Sequence, residues 1–324
     1  MKDNRRVLIT GGSGFLGSHL ANELSKNGNQ VTLFDNEFRG KIERIKNLKV
    51  KYVKGDIRNY KDLKKLGNKY DAIYHLAFIN GTDFFYNEPQ LVLDVGINGI
   101  LNIIKFTSKI KKTKFFLASS SEVYNLPKKI PTDEKTEIII PDILNPRFSY
   151  SGGKIISELV TINYLQKFKI PFQIFRPHNV FGPNMGMGHV IPQIVQKIYI
   201  ASNKFKKKKC KVLIQGKGNE TRSFCYIDDA VKQLNFLFNK GKNNQIYNIG
   251  QSKEISIKEL IKDISKILEI KVETKYSNLL PGSVKRRCPS LNKLRKLKFK
   301  INNTYREGLK NTVLWYKFNF LNEK

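Results

Sequence analysis

In the first half of the chain, short apolar runs alternate with longer segments whose apolar residues recur every three or four positions. Residues 7–10 ("VLIT") feed a glycine-rich turn, and a helical pattern follows to about Asn27. Residues 30–35 ("QVTLFD"), 50–57 ("VKYVKGDI") and 72–77 ("AIYHLA") read as further strands, as do the stretch "KFFLASS" from Lys114 and residues 172–177 ("FQIFRP"). Helical patterns occupy residues 88–108 and run from Tyr150 to about Phe168. Short apolar strands alternating with helices predict an α/β fold built on a Rossmann-like, doubly wound parallel sheet, whose strands are covered on both faces.

After Pro177 the rhythm breaks. Loops containing glycine and proline ("FGPNMGMGHVIP", "PGSVKRRCP") separate shorter elements, and one helix pattern, 256–270, is clear. The stretches "SFCYIDDAVKQLNFLF" and "QIYNIG" have the pattern of elements that return to the first domain. The expected organisation is a larger domain over 1–177, with returning segments near 224–250, and a smaller, irregular C-terminal domain over 178–324. There are no repeats and no low-complexity linker.

Composition narrows the class. A chain of 324 residues forms one large or two ordinary domains with a substantial core. The apolar run near the start is too short for a signal peptide, and no later stretch has the length of a membrane span. Cys210, Cys225 and Cys288 are widely spaced and odd in number, which points to a reducing, cytoplasmic setting without a disulfide framework. No Cys/His spacing suggests a metal site. The net charge of +32 has two readings. One is a nucleic-acid binder. The other, favoured here, is lysine scattered over solvated faces, since lysine is dense almost everywhere. The single concentrated run, 204–211 ("KFKKKKCK"), reads as an exposed loop. Such a field also draws in small anionic substrates.

The turn "TGGSGFLGSHL" spaces Gly11, Gly14 and Gly17 as GxxGxxG between the first strand and the first helix. Glycines there permit a tight turn and close approach to a pyrophosphate at a helix N-terminus. Asp35 ends the second strand, where a carboxylate accepts ribose hydroxyls and repels a 2′-phosphate, favouring NAD over NADP. Arg39 follows the acid rather than replacing it. Asp56 has two readings, a partner for the adenine amino group or a cap for the helix starting near Tyr60. Tyr150 and Lys154 in "YSGGK" stand at i and i+4, on one helix face, where an ammonium lowers the pKa of a phenol and prepares it to take a proton from a substrate hydroxyl. The serine cluster of "FFLASSSEVY" lies at the carboxyl edge of the sheet, within reach of the same oxygen.

Taken in order, "GGSGFLG", "DAIYHLAF", "ASSSEVY", "YSGGK", "FRPHNVFGP", "TRSFCYIDDA", "YNIG" and "RRCPS" resemble the extended short-chain dehydrogenase/reductases that act on nucleotide sugars, the NAD-dependent epimerase/dehydratase family. The resemblance covers nearly the whole chain. It implies tightly held NAD, transient oxidation of a nucleotide-diphosphate sugar at C4, and a homodimer. For the cofactor it implies Gly11, Gly14, Phe15, Leu16, Gly17, Asp35, Asp56, Ile57, Leu76 and Ala77, together with Tyr150 and Lys154. It makes Ser120 the catalytic hydroxyl, four residues before Tyr124, and places Ser121 beside the substrate. Glu122 resembles the glutamate of 4,6-dehydratases and uronate decarboxylases, where it is a second proton handler; burial at a strand end is expected to raise its pKa toward neutrality. Asn179 in "RPHN" falls near the sugar phosphate. Arg222 and Arg287 resemble the clamp on the diphosphate, with Arg287 chosen over Lys285 and Arg286 by its spacing to Pro289. His189 is either an acid near the sugar, a nucleobase contact, or a capping or packing residue.

Several positions depart from the family pattern. Gly96 stands where an asparagine is usual, with Asn98 a possible substitute. Phe78 replaces an alanine, Asn125 replaces the glycine after "VY", and "FINGTDFFYNEP" is unlike common members. These departures bear on the sugar and the reaction outcome. Of the reactions that follow C4 oxidation, epimerisation is ranked first, with 4,6-dehydration and uronate decarboxylation as the alternatives. A dinucleotide- or RNA-binding module without catalysis is the alternative of another class.

Overall fold

The strands predicted for the first half are present in the computed structural model of the protein, which describes residues 4–279, 282 and 284–322. Residues 1–3 of the opening segment, and 281 and 283 of the "PGSVKRRCP" loop, lie outside the described residues. Strands β1 (Arg6–Thr10), β2 (Gln30–Asp35), β3 (Lys51–Lys54), β4 (Ala72–His75), β5 (Lys114–Ala118) and β6 (Phe172–Pro177) share one seven-stranded sheet with the strand Gln245–Ile249. Its order is Gln245–Ile249, β6, β5, β4, β1, β2, β3, and every neighbouring pair is parallel. This is the doubly wound, Rossmann-like sheet the alternation predicts. The strand order reverses at β1, so the carboxyl ends of β1 and β4 flank the crevice where such sheets bind ligands.

The helices fall on both faces. Helix α1 (Phe15–Lys26) follows β1. Then come α2 (Tyr60–Lys64), α3 (Thr82–Asn87), α4 (Pro89–Thr107), α5 (Ser149–Lys167), α6 (Val190–Ala201) and α7 (Ile227–Lys240). Val7 and Ile9 of β1 join one core with Leu20, Leu24 and Leu234, while Leu8 between them joins a second with Ile100, Ile103 and Leu165. Successive residues of a strand point to opposite faces. Both faces are dry, so the strand shows no polar alternation.

Behind the site runs a buried polar network. Arg176, at the end of β6, donates to both oxygens of Glu158 on α5 (2.8 and 2.6 Å) and to the Tyr124 hydroxyl (2.9 Å). The Tyr124 hydroxyl in turn donates to Asn248 on the strand Gln245–Ile249 (2.8 Å). Ser119 closes the network by donating to Glu158.

Three elements differ from the sequence reading. The lysine run is a turn only through Lys208. Lys209–Gln215 is a strand, paired in parallel with Lys271–Ser277, whose exposed residues alternate with buried Cys210, Val212 and Ile214. "FINGTDFFYNEP" contains α3. An 18-residue helix, Tyr305–Asn322, closes the second half and buries Leu309, Val313, Tyr316 and Phe320. A small sheet places Thr221–Arg222 between Ile255–Ser256 and Arg286–Arg287, which sets Arg222 and Arg287 side by side in register. No helix of the described residues is long and apolar enough to cross a membrane.

Candidate active site

A cavity of about 440 Å³ opens along the carboxyl edge of the sheet. It is lined by every predicted cofactor residue and by Ser120, Ser121, Glu122, Asn179, His189 and Arg287. Arg222 alone of the predicted residues lies outside it. It lines an adjoining cavity of about 250 Å³, whose walls share Glu122, Asn179, His189 and Arg287 with the first.

At the nucleotide end the glycines are required by space. Gly11 has φ +72°, and a Cβ there would lie 2.6 Å from the Ala77 nitrogen. A Cβ at Gly17 would lie 2.2 Å from the Gly11 carbonyl oxygen. The Asp35 carboxylate accepts from the Ser13 and Glu37 amides (3.1 and 2.8 Å), which fixes it at the end of β2. A backbone cradle with an anchored acid fits the ribose and pyrophosphate of NAD. Arg39 does not neutralise that acid. Its guanidinium donates to the Asn80 carbonyl and lies 5.2 Å over the Phe84 ring. Asp56 is held by Arg58 (2.7 Å) and Asn36 (3.0 Å) and does not cap the next helix. Asn59 takes that place, accepting from the Lys61 amide.

At the other end, β5 delivers the serine cluster into a 3₁₀ turn, Ser121–Tyr124. Val123 and Tyr124 are buried and anchor the turn, leaving Ser120 and Glu122 toward the cavity. Asn125 ends it with φ +46° and ψ −100°, a positive-φ conformation outside the left-handed helical region that glycine adopts most freely. Ser120 accepts from the Glu122 amide (3.1 Å).

The tyrosine and lysine sit differently from expectation. Burial pushes the Tyr150 phenol above its usual range, and a hydrogen bond with Ser120 pulls it back only in part. The Tyr150 ring stacks on Phe85 (centroids 4.8 Å apart) and meets Phe78 edge-on (5.2 Å). Lys154 donates to the Ala118 carbonyl (2.7 Å) and lies 3.8 Å over the Phe78 ring, and burial pushes it down to about 7. Lys154 is not among the groups that lower the phenol's pKa; Ser120, Arg287 and Arg39 are.

Glu122 also departs from expectation. Burial pushes its carboxyl up, but Arg287 outweighs burial by charge and hydrogen bonds, with Arg147 and Arg222 adding to it, and holds the group down at about 2. Both ends of the Arg287 guanidinium are bound to Glu122, the second at 3.0 Å. Arg287 is thus half of an ion pair rather than a free diphosphate clamp. Arg286 faces Glu254 (2.6 Å) and solvent, so of these two arginines only Arg287 reaches the cavity. Arg222 folds onto the carbonyls of Thr221 and Val284 (both 2.8 Å), and burial with the Arg287 charge brings it down to about 10. Asn179 has φ +42° and lines both cavities. His189 occupies the N-cap position of α6 without capping it by its side chain, and burial and Arg39 push it down to about 4. It is neutral near pH 7 and a poor proton donor.

Arg39 and Phe78, noted in the sequence beside Asp35 and among the departures near the sugar, line the cavity, and sequence reasoning missed Arg147 and Phe85. Arg147 stands three residues before Tyr150, a spacing that could have drawn attention to it. Asn98 does not replace the missing asparagine: it is exposed and donates to Asp94 (2.6 Å).

The pattern of the NAD dependent epimerase/dehydratase family matches residues 7–250, and the chain belongs to that family. It is 31% identical to the UDP-N-acetyl-alpha-D-glucosaminuronate decarboxylase of Bacillus cytotoxicus, over 97% of this chain and 98% of that one. It is 28% identical to the dTDP-D-glucose 4,6-dehydratase of Dictyostelium discoideum, over 97% and 82%. Its fold superposes on the UDP-N-acetylglucosamine 4-epimerase of Methanobrevibacter ruminantium, solved with UDP-N-acetylmuramic acid, with a TM-score of 0.86, 27% identity, and 98% and 100% of the two chains covered. The protein is therefore an NAD-dependent enzyme of nucleotide-sugar chemistry. Its relatives divide among decarboxylation, dehydration and epimerisation.

Proposed function

We propose that the protein decarboxylates a nucleotide-bound uronic acid after oxidising it at C4. The observation that carries this reading is the Glu122–Arg287 pair on the wall where the two cavities meet. Dehydration needs a base to remove the C5 proton. A carboxylate held at about 2 is a weak one. Epimerisation at C4 needs no charged pair at all. Decarboxylation needs no base, but it needs cations to accept a carboxylate. Among the described residues, the adjoining cavity carries Arg147, Arg222 and Arg287 against Glu122 as its one acid. That balance suits a diphosphate together with a uronate.

In this reading Tyr150, oriented by Ser120, takes the proton of the C4 hydroxyl. When bound, NAD supplies the hydride acceptor for C4 and later the donor. Gly11, Gly14, Phe15, Leu16, Gly17, Asp35, Leu76 and Ala77 would hold it, with Lys154. The C4 ketone stands β to the carboxylate. The C5–C6 bond breaks, carbon dioxide leaves, and the electron pair passes to the C4 oxygen beside Tyr150 and Ser120. A proton then returns to C5. Arg287 holds the departing carboxylate, while Asn179, Arg147 and Arg222 hold the diphosphate. We further propose a cytoplasmic homodimer, joined through the outward faces of α4 and α5, where Leu101, Leu159 and Tyr164 are exposed.

The test is a panel of UDP-glucuronate, UDP-N-acetylglucosaminuronate, UDP-glucose and dTDP-glucose, with products identified by mass spectrometry. Loss of carbon dioxide from a uronate is expected. Loss of water, or an isomer of unchanged mass from a neutral sugar, would replace this reading with dehydration or epimerisation.

A further inference from the structure

Phe78, Gly96 and Gly153 look unrelated in sequence, yet they meet at one point beside the catalytic pair. A Cβ built on Gly96 would lie 2.7 Å from the tip of the Phe78 ring, and one on Gly153 would lie 3.0 Å from the same atom. A side chain at Gly96 would force the ring to shift and one at Gly153 would crowd it, so the two glycines leave the groove between α4 and α5 in which the ring sits. The groove is fixed independently of the ring. The Ser157 hydroxyl on α5 lies within hydrogen-bond distance of the Gly96 carbonyl on α4 (3.2 Å) and of the Gly153 carbonyl (2.8 Å).

The seated ring touches both groups of the catalytic pair. Its face lies 3.8 Å from the Lys154 ammonium, and it meets the Tyr150 ring edge-on with centroids 5.2 Å apart. A lysine ammonium has three N–H donors. One goes to the Ala118 carbonyl at 2.7 Å. In a site this buried, the remaining positive charge needs a partner, and the negative face of an aromatic ring is one. A plain core filler would supply bulk without that face.

We propose that Phe78 is a positioning residue, which uses the space left by Gly96 and Gly153 to hold the Lys154 ammonium and the Tyr150 phenol in working alignment. This rests on Tyr150 and Lys154 acting in C4 oxidation, and not on the step that follows it. Tyrosine cannot replace Phe78, since its hydroxyl would project from the ring tip into Gly96.

The experiment compares wild type with Phe78→Leu, Phe78→Ala, Gly96→Ala, the double variant Phe78→Ala/Gly96→Ala, and Tyr150→Phe. The readouts are thermal unfolding, NAD affinity by fluorescence quenching, and kcat and KM for the UDP-sugar turned over by wild type in the panel above. Phe78→Leu keeps apolar bulk and loses the π face. It is expected to lower kcat by about tenfold, within the range of a buried cation–π contact, with KM and NAD affinity within about twofold of wild type. Wild-type kcat in Phe78→Leu, with Tyr150→Phe inactive, overturns the inference alone. Wild-type turnover in Tyr150→Phe overturns the site assignment beneath it. Should Phe78→Leu not fold, the glycine pair decides. Gly96→Ala is expected to lower kcat and the unfolding midpoint when the ring is present, and to cost nothing more in the Phe78→Ala background. Additive losses in both measurements would mean that residues 78 and 96 act separately, and the inference would be wrong.

Discussion

The molecule contains two arginine–glutamate pairs of the same chemistry in different settings. Arg176 and Glu158 lie in the core, with side chains only 2% and 5% exposed. Arg287 and Glu122 lie on the cavity wall, 10% and 27% exposed. The core pair has further partners on both sides. Glu158 also accepts from Ser119, and Arg176 also donates to Tyr124 and to the Glu134 carbonyl. Among the described residues, the Glu122 carboxylate receives hydrogen bonds from Arg287 alone. A buried pair with partners on several elements welds those elements together. A pair with open positions toward a cavity can exchange partners with an anionic ligand. The first joins β5, β6, α5 and the strand Gln245–Ile249 beneath the serine cluster; the second joins the end of that cluster to the smaller sheet of the C-terminal half.

The largest effect should come from breaking the core pair. Glu158→Ala strands the Arg176 guanidinium in the interior, which typically costs about 3–5 kcal/mol. Expected outcomes are a large drop in the urea midpoint and low soluble yield. A midpoint near wild type would mean that the core network is not the weld described here. Next is Arg287→Met, which should keep most of the stability and lose turnover by about two decades or more. If its unfolding midpoint falls as far as that of Glu158→Ala, the two pairs do the same work and the comparison fails. A smaller effect is expected at Asp35. Asp35→Ala should weaken NAD binding by about tenfold and narrow the preference over NADP, as measured by titration of both cofactors; an unchanged preference would exclude Asp35 from cofactor choice.

Much of this was legible in the sequence, for reasons that can be named. The strands Gln30–Asp35 and Phe172–Pro177 begin and end where the pattern places them, because each is a buried run bounded by turn residues. Helix Tyr305–Asn322 was not legible. Its inward face carries Leu309, Val313, Tyr316 and Phe320, and its outward face carries exposed Leu314, Phe318 and Leu321, so no helical period stands out. The strand Lys209–Gln215 hides because its alternation starts inside the lysine run. At the site, the glycine turn, Asp35, Ser120, Tyr150 and Lys154 stand in local motifs. The partner of Glu122 lies 165 residues away and arrives through pairing of two-residue strands, which no local pattern reveals. Phe78 and Gly96 stood out as departures from the family pattern and Gly153 only as part of "YSGGK"; that all three meet depends on the packing of α4 against α5, which no local pattern reveals.

The smallest expected effect separates the two pairs by pH. The Glu122 carboxyl is lowered from its usual 4.5 to about 2 by Arg287. A carboxyl depressed in the folded state contributes stability that is fully present above its unfolded pKa and is lost as pH falls through the folded value. The window therefore runs from about pH 4.5 down to about pH 2. Because the Glu122 side chain is 27% exposed, the contribution is discounted for solvent to on the order of 1 kcal/mol. Glu122→Gln removes the titrating group and keeps the shape. At pH 6 the variant should be less stable than wild type by about that amount in urea unfolding. The difference should shrink steadily below pH 4.5 and approach zero near pH 2, where the wild-type carboxyl is itself protonating. A difference that stays constant across this window would show that Glu122 acts by packing rather than by charge. A constant difference would also mean that its pKa is not depressed, and a difference that widens as pH falls would mean that it is raised; in either case Glu122 as the fixed anion of the Arg287 pair, rather than a free base, would have to be given up.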